Sequence, residues 1–216
     1  ELAIDLFDID ERKIFVINHG VTYSKNKNSA KIFDENKFII STLSDLGPRK
    51  NPKMLLRAFK IFRDNLPDKE RQNVELHLFG KASKKIIKWL NIQNYGENIF
   101  LDGPIDQTLK WSVYRESSIF AFPSIEEGFG MPIIEAQRYG IPTIIFGSGM
   151  ISEEVGKYAY KAYTSEEMAK MFLKIYKYGF SKYHKINQLR YTKSFTWKKA
   201  AIETLKVYKR VLNDTK

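Results

Sequence analysis

Short apolar runs alternate with longer segments of helical pattern along the whole chain. This alternation is typical of a doubly wound α/β domain, in which helices cover both faces of a parallel sheet. The sequence predicts strands at 13–17, 37–42, 74–79, 99–102, 118–122, 142–146 and 159–162. It predicts helices at 52–65, 81–91, 108–116, 132–139, 165–178 and 196–213. We therefore expect a Rossmann-like parallel sheet whose ligand binds beyond the carboxyl ends of the strands.

The composition fits one sizeable hydrophobic core. The chain has 216 residues, 43% of them hydrophobic, and its longest apolar runs are far shorter than the roughly 20 residues of a membrane-spanning helix. No signal-peptide pattern opens it. The absence of cysteine excludes disulfides, thiolate metal sites and cysteine nucleophiles, and is compatible with a reducing cytoplasm. Neither a Walker A motif nor a G-x-G-x-x-G fingerprint occurs, which argues against an NTPase or a dehydrogenase.

The segment 124–135 reads Ser-Ile-Glu-Glu-Gly-Phe-Gly-Met-Pro-Ile-Ile-Glu and places two carboxylates and two glycines beside a helix start. Gly128 and Gly130 allow backbone angles closed to other residues and let a ligand approach the main chain, while Pro132 suits the first turn of a helix. The positively polarised end of that helix would face the loop and attract anions. Glu127 in the loop and Glu135 in the first helical turn are therefore predicted to flank one ligand. Taken singly, either glutamate has the ordinary alternative of complementing a helix dipole.

A second candidate site is the run Arg49-Lys50-Asn51-Pro52, which follows the strand predicted at 37–42. Asn51 is expected to cap the next helix and Pro52 to open it, so two cations stand before another positively polarised helix end. Together these cations could grip a diphosphate and stabilise the negative charge that grows on a leaving phosphate. As isolated residues, Arg49 and Lys50 would be solvated surface charges.

The last third of the chain is its basic part. Residues 151–216 contain 15 Lys and Arg against 6 Asp and Glu, within a formal net charge of +11 for the whole chain. Aromatic residues are interleaved with these cations: Tyr158, Tyr160, Tyr163, Tyr176, Tyr178, Tyr183, Tyr191 and Trp197. Such a surface could associate peripherally with an anionic membrane, and the alternative is a solvated lysine-rich face on helices. Nucleic acid binding is not expected, because none of its motifs is present.

Seven residues separate Glu127 from Glu135, and they include Gly-Phe-Gly and a proline. This pattern resembles the signature of retaining glycosyltransferases of family four, the group 1 glycosyl transferases. Further segments resemble that family, in order, along about residues 10 to 211: 17–21, 37–43, 48–51, 78–81, 100–103, 140–143, 154–156 and 195–197. Two positions depart from its pattern, with His19 where asparagine is usual and Thr42 where arginine is common. Downstream of Thr42, Lys50 is the principal cation that the resemblance assigns to the diphosphate, and Arg49 would replace the missing arginine.

The resemblance implies one Rossmann-like domain of a two-domain GT-B architecture. Residues 1–20 would be a linker and the end of a preceding domain, residues 21–195 the nucleotide-sugar-binding domain and residues 196–216 a C-terminal helix. The preceding domain would supply the site for a glycan or a lipid-linked acceptor. The enzyme is expected in the cytoplasm, either free or peripheral to a membrane.

The resemblance also implies roles for individual residues. Glu135 would accept hydrogen bonds from the ribose hydroxyls, Glu127 would face the transferred sugar, and Lys50 would hold the diphosphate. Further contacts with the donor are implied for two groups of residues: Gly103, Ile105 and Lys81 after the neighbouring strands, and Gly128, Phe129, Gly130 and Met131 in the loop. Glu127 could act as a nucleophile, as an electrostatic stabiliser or as a ligand of a sugar hydroxyl.

The expected activity is transfer of a hexosyl group, with retention, from a UDP-, GDP- or ADP-sugar, without a metal or another cofactor. The alternative interpretation is a nucleotide-sugar-binding domain without transferase activity. A basic nucleic-acid-binding domain is the third, and competition between a nucleoside diphosphate and DNA would separate it from the other two.

Overall fold

The computed structural model of the chain describes residues 7, 9–24, 30–93 and 97–214. The chain divides into two compact units, one formed by Tyr23–Thr192 and the other by Glu1–Thr22 with Lys193–Lys216. We call the first the sheet unit and the second the terminal unit. All candidate catalytic and substrate-binding residues belong to the sheet unit. The domain assignment of 1–20, 21–195 and 196–216 stays a prediction.

The sheet unit is built on six parallel strands. They are β1 (Phe38–Leu43), β2 (Val74–Phe79), β3 (Ile99–Gly103), β4 (Ile119–Phe122), β5 (Thr143–Phe146) and β6 (Tyr160–Ala162). Their order is β3-β2-β1-β4-β5-β6, which is the order of a doubly wound sheet of Rossmann type. Because β1 pairs with both β2 and β4, the direction of winding reverses between β1 and β4. The expected fold is confirmed, and a ligand of such a fold is expected to bind beyond the carboxyl ends of these two strands.

The strand predicted at 13–17 is not part of this sheet. Glu11–Lys13 forms a 3-10 turn, which the Asp10 side chain caps by accepting a hydrogen bond from the amide of Arg12. Val16 is 83% exposed. The prediction was wrong because an apolar pattern specifies a strand only where a sheet edge is available for pairing, and this segment belongs to the terminal unit.

Helices of the sheet unit connect its strands and cover both faces of the sheet. They are α1 (Pro52–Asp64), α2 (Asp68–Arg71), α3 (Lys84–Gln93), α4 (Gln107–Glu116), α5 (Met131–Arg138), α6 (Glu153–Gly156), α7 (Ser165–Tyr178) and α8 (Lys182–Thr192). A further helix, α9 (Trp197–Asp214), belongs to the terminal unit. The six predicted helices are present close to their expected bounds. The single-turn helices α2 and α6 were not predicted, and neither was the longer helix α8. Its buried residues are Gln188 and Thr192, so it lacks the apolar periodicity that reveals a helix. The Gln188 amide instead donates to the carbonyl oxygens of Gln137 and Ile141, at 3.2 and 2.9 Å.

The larger core lies between the sheet and the helices α1 and α7. Four residues of α1 belong to it, and all are at most 1% exposed: Leu55, Leu56, Phe59 and Phe62. The Phe62 ring meets the Phe172 ring of α7 edge to face, with centres 5.9 Å apart. Full burial of one such side chain contributes about 1.5–3 kcal/mol to stability. This core therefore fixes the strand ends on which the candidate site is built.

A smaller core covers the opposite face of the sheet. It contains Phe33, Ile39, Phe79 and Val113, while the neighbouring Ile40 of β1 faces the larger core. Successive residues of a strand point to opposite faces, so β1 contributes to both cores. With both faces covered, the loops at the carboxyl ends of the strands are the exposed edge where a ligand can enter.

In the terminal unit, the amide of Val21 donates to the carbonyl oxygen of Phe195 at 3.1 Å. Gly20 lies so close to the start of α9 that a Cβ atom there would be 2.0 Å from the amide nitrogen of Trp197. Only glycine fits this contact between the two terminal segments. Across the ranges given above, no helix is both long and apolar enough to cross a membrane.

Candidate functional site

The loops after β1 and β4 are joined by hydrogen bonds at the point where the winding reverses. The amide of Ile125 donates to the carbonyl oxygen of Arg49 at 2.8 Å. In return, the Arg49 guanidinium donates to the carbonyl oxygen of Glu126, also at 2.8 Å. The Ser124 hydroxyl donates to that same carbonyl of Glu126 at 3.0 Å. The segments 49–52 and 124–135, which are far apart in the sequence, are therefore joined in the structure.

Lys50 and Glu127 form an ion pair at the centre of this structure. Their side chains are only 15% and 10% exposed. The Lys50 ammonium also lies 5.3 Å from the centre of the Phe122 ring, an attractive position for a cation. A pair this poorly hydrated interacts more strongly than a surface pair, but either charge is costly to leave without a counter-charge.

The loop after β5 fastens Glu127 from the other side. The amide of Glu127 donates to the carbonyl oxygen of Met150 at 3.0 Å. The amide of Met150 donates in turn to the carbonyl oxygen of Ile125 at 2.7 Å. A Cβ atom on Gly149 would lie 2.5 Å from the carbonyl oxygen of Ser124, so this approach requires glycine. The loop after β5 thus holds the backbone of Glu127, while its carboxylate pairs with Lys50.

The glycines at the start of α5 differ from each other. Gly130 has φ +91° and precedes the first helical residue, Met131, with Pro132 second. Gly128 has no positive φ, and a side chain there would meet open space. Gly130 therefore uses the backbone freedom of glycine at the start of the helix, and Gly128 does not.

Glu135 lies deeper than the sequence suggested. It is the fifth residue of α5, beyond the first turn, and is 4% exposed. The expected first-turn position was wrong because the helix starts one residue earlier, at Met131. Its Oε1 accepts a hydrogen bond from the Lys110 ammonium and its Oε2 accepts one from the Tyr114 hydroxyl, each at 2.7 Å. A nearly buried carboxylate is thereby neutralised and satisfied at both oxygens.

Sequence reasoning missed Lys110 and Tyr114. Both lie on α4, four residues apart and therefore on the same face of the helix. Burial raises the pKa of the Tyr114 hydroxyl, and the nearby charge of Glu135 raises it further. The phenol thus stays a neutral hydrogen-bond donor at physiological pH. The available signal was a lysine and a tyrosine at helical spacing after a predicted strand, which is too common to indicate a site.

Asn51 does not cap α1 with its side chain, contrary to expectation. It adopts a left-handed conformation with φ +51°, and its side-chain amide lies 3.5 Å from the sulfur of Met54. The αL backbone turns the side chain away from the amides that a cap must reach. Pro52 does open the helix, as predicted, and Lys50 ends a 3-10 turn directly before it.

The remaining candidates lie at the same edge of the sheet, after β2 and β3. The amide of Gly80 donates to the carbonyl oxygen of Gly103 at 2.8 Å, and Gly103 has φ +74°. Ile105 packs against the smaller core. The carbonyl oxygen of Lys81 accepts from the amide of Leu46 at 3.0 Å, while the Lys81 side chain is exposed. Their contacts with a donor stay predictions.

Within residues 7, 9–24, 30–93 and 97–214, no group of three or more His, Cys, Asp or Glu side chains could hold a metal ion. The carboxylates of the candidate site instead have cationic or phenolic partners: Glu127 has Lys50, and Glu135 has Lys110 and Tyr114. What the site can offer a ligand is therefore hydrogen-bonding carboxylates beside fixed cations.

Comparison with known proteins assigns this chain to a family. The model of the glycosyl transferases group 1 matches residues 24–210. A probable sucrose-phosphate synthase of Thermosipho melanesiensis is 30% identical, over 96% of this chain and 50% of the relative. The O-antigen chain mannosyltransferase B of Escherichia coli is 25% identical, over 77% of this chain and 44% of the relative.

A solved structure shows the same fold. The TarM mutant of S. aureus, crystallised with Fondaparinux, alpha-GlcNAc-glycerol and UDP, has a TM-score of 0.69 at 20% identity, over 95% of this chain and 41% of that one. The chain spans about half the length of each of these two relatives. Because the family match covers most of the chain, the resemblance drawn from the motif around Glu127 and Glu135 is confirmed, and the chain belongs to the glycosyl transferases group 1.

Proposed function

We propose that this chain is the donor-binding domain of a metal-independent, retaining hexosyltransferase that uses a nucleoside-diphosphate sugar. The observation that carries the proposal is the pairing of Lys50 with Glu127 where the loops after β1 and β4 meet. The pair combines a cation suited to a diphosphate with a carboxylate suited to sugar hydroxyls. Each stands shortly before the N-terminus of a helix, which also favours a phosphate.

The proposed role of Lys50 follows from its surroundings. In sugar transfer, the bond from the anomeric carbon to the diphosphate breaks, and negative charge grows on the leaving group. Lys50 is largely removed from water and held against Phe122, so a diphosphate in its reach would meet a preorganised cation. Such a cation stabilises the transition state more than the ground state. Arg49, exposed on the same turn, would add a second cation.

Glu127 would change partner when the donor binds. A diphosphate that engages Lys50 competes with the Glu127 carboxylate for the same ammonium. The released carboxylate can then accept hydrogen bonds from the sugar or stabilise positive charge at the anomeric carbon. The amides of Phe129, Gly130 and Met131, at the start of α5, would lie toward the sugar or the phosphates.

Glu135 is the proposed ligand of the ribose. A carboxylate has about four acceptor positions, and Lys110 and Tyr114 use two of them. Two positions are left for the vicinal hydroxyls of a ribose. Gly103 and Ile105, after β3, would contact the base, with Lys81 at the neighbouring strand end.

A preceding domain would complete the enzyme. The relatives are about twice as long as this chain, so half of their length is unaccounted for. In the terminal unit, α9 leaves Leu205, Tyr208 and Leu212 more than half exposed, an apolar strip that the preceding domain would cover. That domain would bind the acceptor, a glycan or a lipid-linked sugar, and exclude water from the reaction.

The basic C-terminal third supports a second proposal, peripheral attachment to an anionic membrane on its cytoplasmic side. The exposed cations Lys198, Lys206 and Lys209 lie on one side of α9. Sedimentation with vesicles of phosphatidylglycerol and of phosphatidylcholine tests this. Binding only to the anionic vesicles, lost on replacing the three lysines by glutamate, is the expected result. Equal binding to both vesicles, or to neither, would contradict it.

Calorimetric titration with UDP, GDP and ADP tests the donor site. At least one of them should bind in the presence of EDTA and should bind more weakly as salt is added. Lys50→Ala should weaken binding about tenfold or more, since a charge-assisted contact is lost. Lys60→Ala, which removes an exposed ion pair with Asp64, is the matched control. Loss of binding on chelation would contradict metal independence, and failure of all three nucleotides would contradict the site.

Transfer assays separate the enzyme from the other functions. A labelled donor sugar should reach an acceptor only when this chain is joined to an acceptor-binding domain. Nucleotide binding without any transfer by the longer protein would favour a non-catalytic binding domain. Displacement of the nucleotide by DNA would favour a nucleic-acid-binding domain.

A further inference from the structure

The carboxylate of Glu135 is held by one face of one helix. Lys110 and Tyr114 of α4 bind different oxygens of it, each at 2.7 Å. One donor would leave the carboxylate free to rotate about its terminal bond, a torsion with broad preferences. Two donors on opposite oxygens fix the plane of the group, and with it the direction of the acceptor positions that they do not use.

The two donors are themselves held in place. Tyr114 is fully buried, and its ring meets that of Phe120 edge to face with centres 5.3 Å apart. The Lys110 ammonium lies 4.4 Å from the centre of the Trp111 ring. The buried phenol cannot move without disturbing the core, so it defines one fixed end of the carboxylate. Lys110, with a side chain 18% exposed, supplies the counter-charge at the other end.

The same helix begins at the loop that is proposed to contact the base. Asp106 caps α4 by accepting hydrogen bonds from the amides of Thr108 and Leu109, at 2.7 and 2.9 Å. It directly follows Ile105 and lies three residues after Gly103 in the chain. Helix α4 therefore links the loop that is proposed to contact the base with the Glu135 carboxylate that is proposed to bind the ribose.

We infer that Lys110 and Tyr114 are positioning residues, which aim the Glu135 carboxylate at the ribose hydroxyls and so make the site selective for ribonucleotides over 2′-deoxyribonucleotides. This inference rests on the proposed function of the donor site. The discrimination arises because a deoxynucleotide leaves one oriented acceptor position of a nearly buried carboxylate without its hydroxyl donor.

The test compares the affinity of the best-binding nucleotide among UDP, GDP and ADP with that of its 2′-deoxy form. The parent chain should prefer the ribonucleotide by about tenfold or more. Tyr114→Phe should reduce that preference about threefold to tenfold, mainly by weakening the ribonucleotide. Lys110→Met should have a similar effect, and Lys110→Arg should restore much of the preference because it keeps a cation.

Two controls separate positioning from general destabilisation. Tyr176→Phe removes a comparable hydrogen bond, from Tyr176 to Glu70 at 3.0 Å, and should leave the preference unchanged. In a Glu135→Gln background, Tyr114→Phe should reduce the preference much less than in the parent, because the residue acts through Glu135. Thermal melts of each variant establish that it is folded, and Tyr114→Phe keeps the test decisive if Lys110→Met does not fold.

The outcomes distinguish this inference from the proposed function. If Tyr114→Phe weakens both nucleotides equally, the inference is overturned while the donor site stands. If the parent binds both forms equally, Glu135 is not reading the ribose and the inference is again overturned. If no nucleotide binds to the parent, the proposed function fails, and the inference fails with it.

Discussion

The two carboxylates of one twelve-residue segment are held in opposite ways. Glu127 lies in a loop and pairs with a single lysine of another loop, whereas Glu135 lies in α5 and is held at both oxygens by α4. A lysine on a flexible four-carbon chain can exchange one partner for another, whereas the fully buried Tyr114 phenol stays where α4 places it. Glu127 is therefore suited to change partner during a reaction, and Glu135 to serve as a fixed recognition element.

Replacement of Lys50 tests the ion pair in which Glu127 is proposed to exchange its partner, and it has the largest expected effect. In an enzyme that carries the acceptor-binding domain, Lys50→Ala should lower the rate of sugar transfer by about 10²–10³-fold, the cost of losing one preorganised charge donor. Lys50→Arg should recover part of the rate because it retains the cation. Steady-state rates with labelled donor measure both, and a loss smaller than about threefold would rule out the proposed role.

Replacement of Glu135 tests the carboxylate that is held at both oxygens. Glu135→Ala leaves the buried Tyr114 hydroxyl without its acceptor and Lys110 without its counter-charge, so the free energy of unfolding should fall by about 2–3 kcal/mol. Urea unfolding measures that change. Nucleotide affinity, titrated on the folded variant, should fall by about tenfold or more. Unchanged affinity in a folded variant would show that Glu135 only stabilises the fold.

Replacement of Glu127 should have an effect of opposite sign on binding. Glu127→Gln removes the negative charge that competes with a diphosphate for Lys50, so affinity for the free nucleoside diphosphate should rise about threefold to tenfold. Transfer of sugar should nevertheless fall. Calorimetry and rate measurements on the same variant give both numbers. A fall in nucleotide affinity would mean that the ion pair with Lys50 assembles the site and does not compete for it.

The smallest effect is expected at alkaline pH and concerns the phenol beside Glu135. Because the pKa of Tyr114 is raised in the folded protein, the unfolded chain loses this proton first, above about pH 10. The free energy of unfolding should then fall as pH rises, by about 1.4 kcal/mol per pH unit for one group, until the folded phenol also ionises. Tyr114→Phe should make the decline shallower by that amount, as urea unfolding between about pH 9 and pH 11 would show. An identical slope in both proteins would contradict the assignment.

Much of the fold follows from local signals in the sequence. Apolar runs and helical periodicity located the six strands of the sheet and six helices, because burial on a sheet or beneath a helix imposes a repeat of fixed length. The exceptions have physical reasons. The run at 13–17 has the pattern of a strand but lies outside the sheet unit, and α8 is buried through Gln188 and Thr192, which hydropathy does not detect.

Residues of the candidate site could be predicted where one short segment carries an informative pattern. They were missed where their role depends on contacts between distant parts of the chain. Glu127, Gly130 and Glu135 lie within one segment whose spacing is informative in itself. Lys110 and Tyr114 carry no such spacing, and their importance appears only because they contact Glu135 across 25 and 21 residues of sequence. A contact between distant residues leaves no periodic trace in a single sequence.

The amino-acid sequence by itself indicates most helices and strands of the sheet unit, the family to which the chain belongs and several of the residues from which a donor site would be built. Backbone preferences and hydrophobic repeats act over a few residues, so they can be read without knowing how the chain folds. The pairing of those residues was decided by the strand order, which brings Lys50 to Glu127 across 77 residues and α4 to Glu135. Whether a carboxylate is free to exchange its partner or is held at both oxygens depends on packing and charge at close range, and these exist only once the sheet has formed.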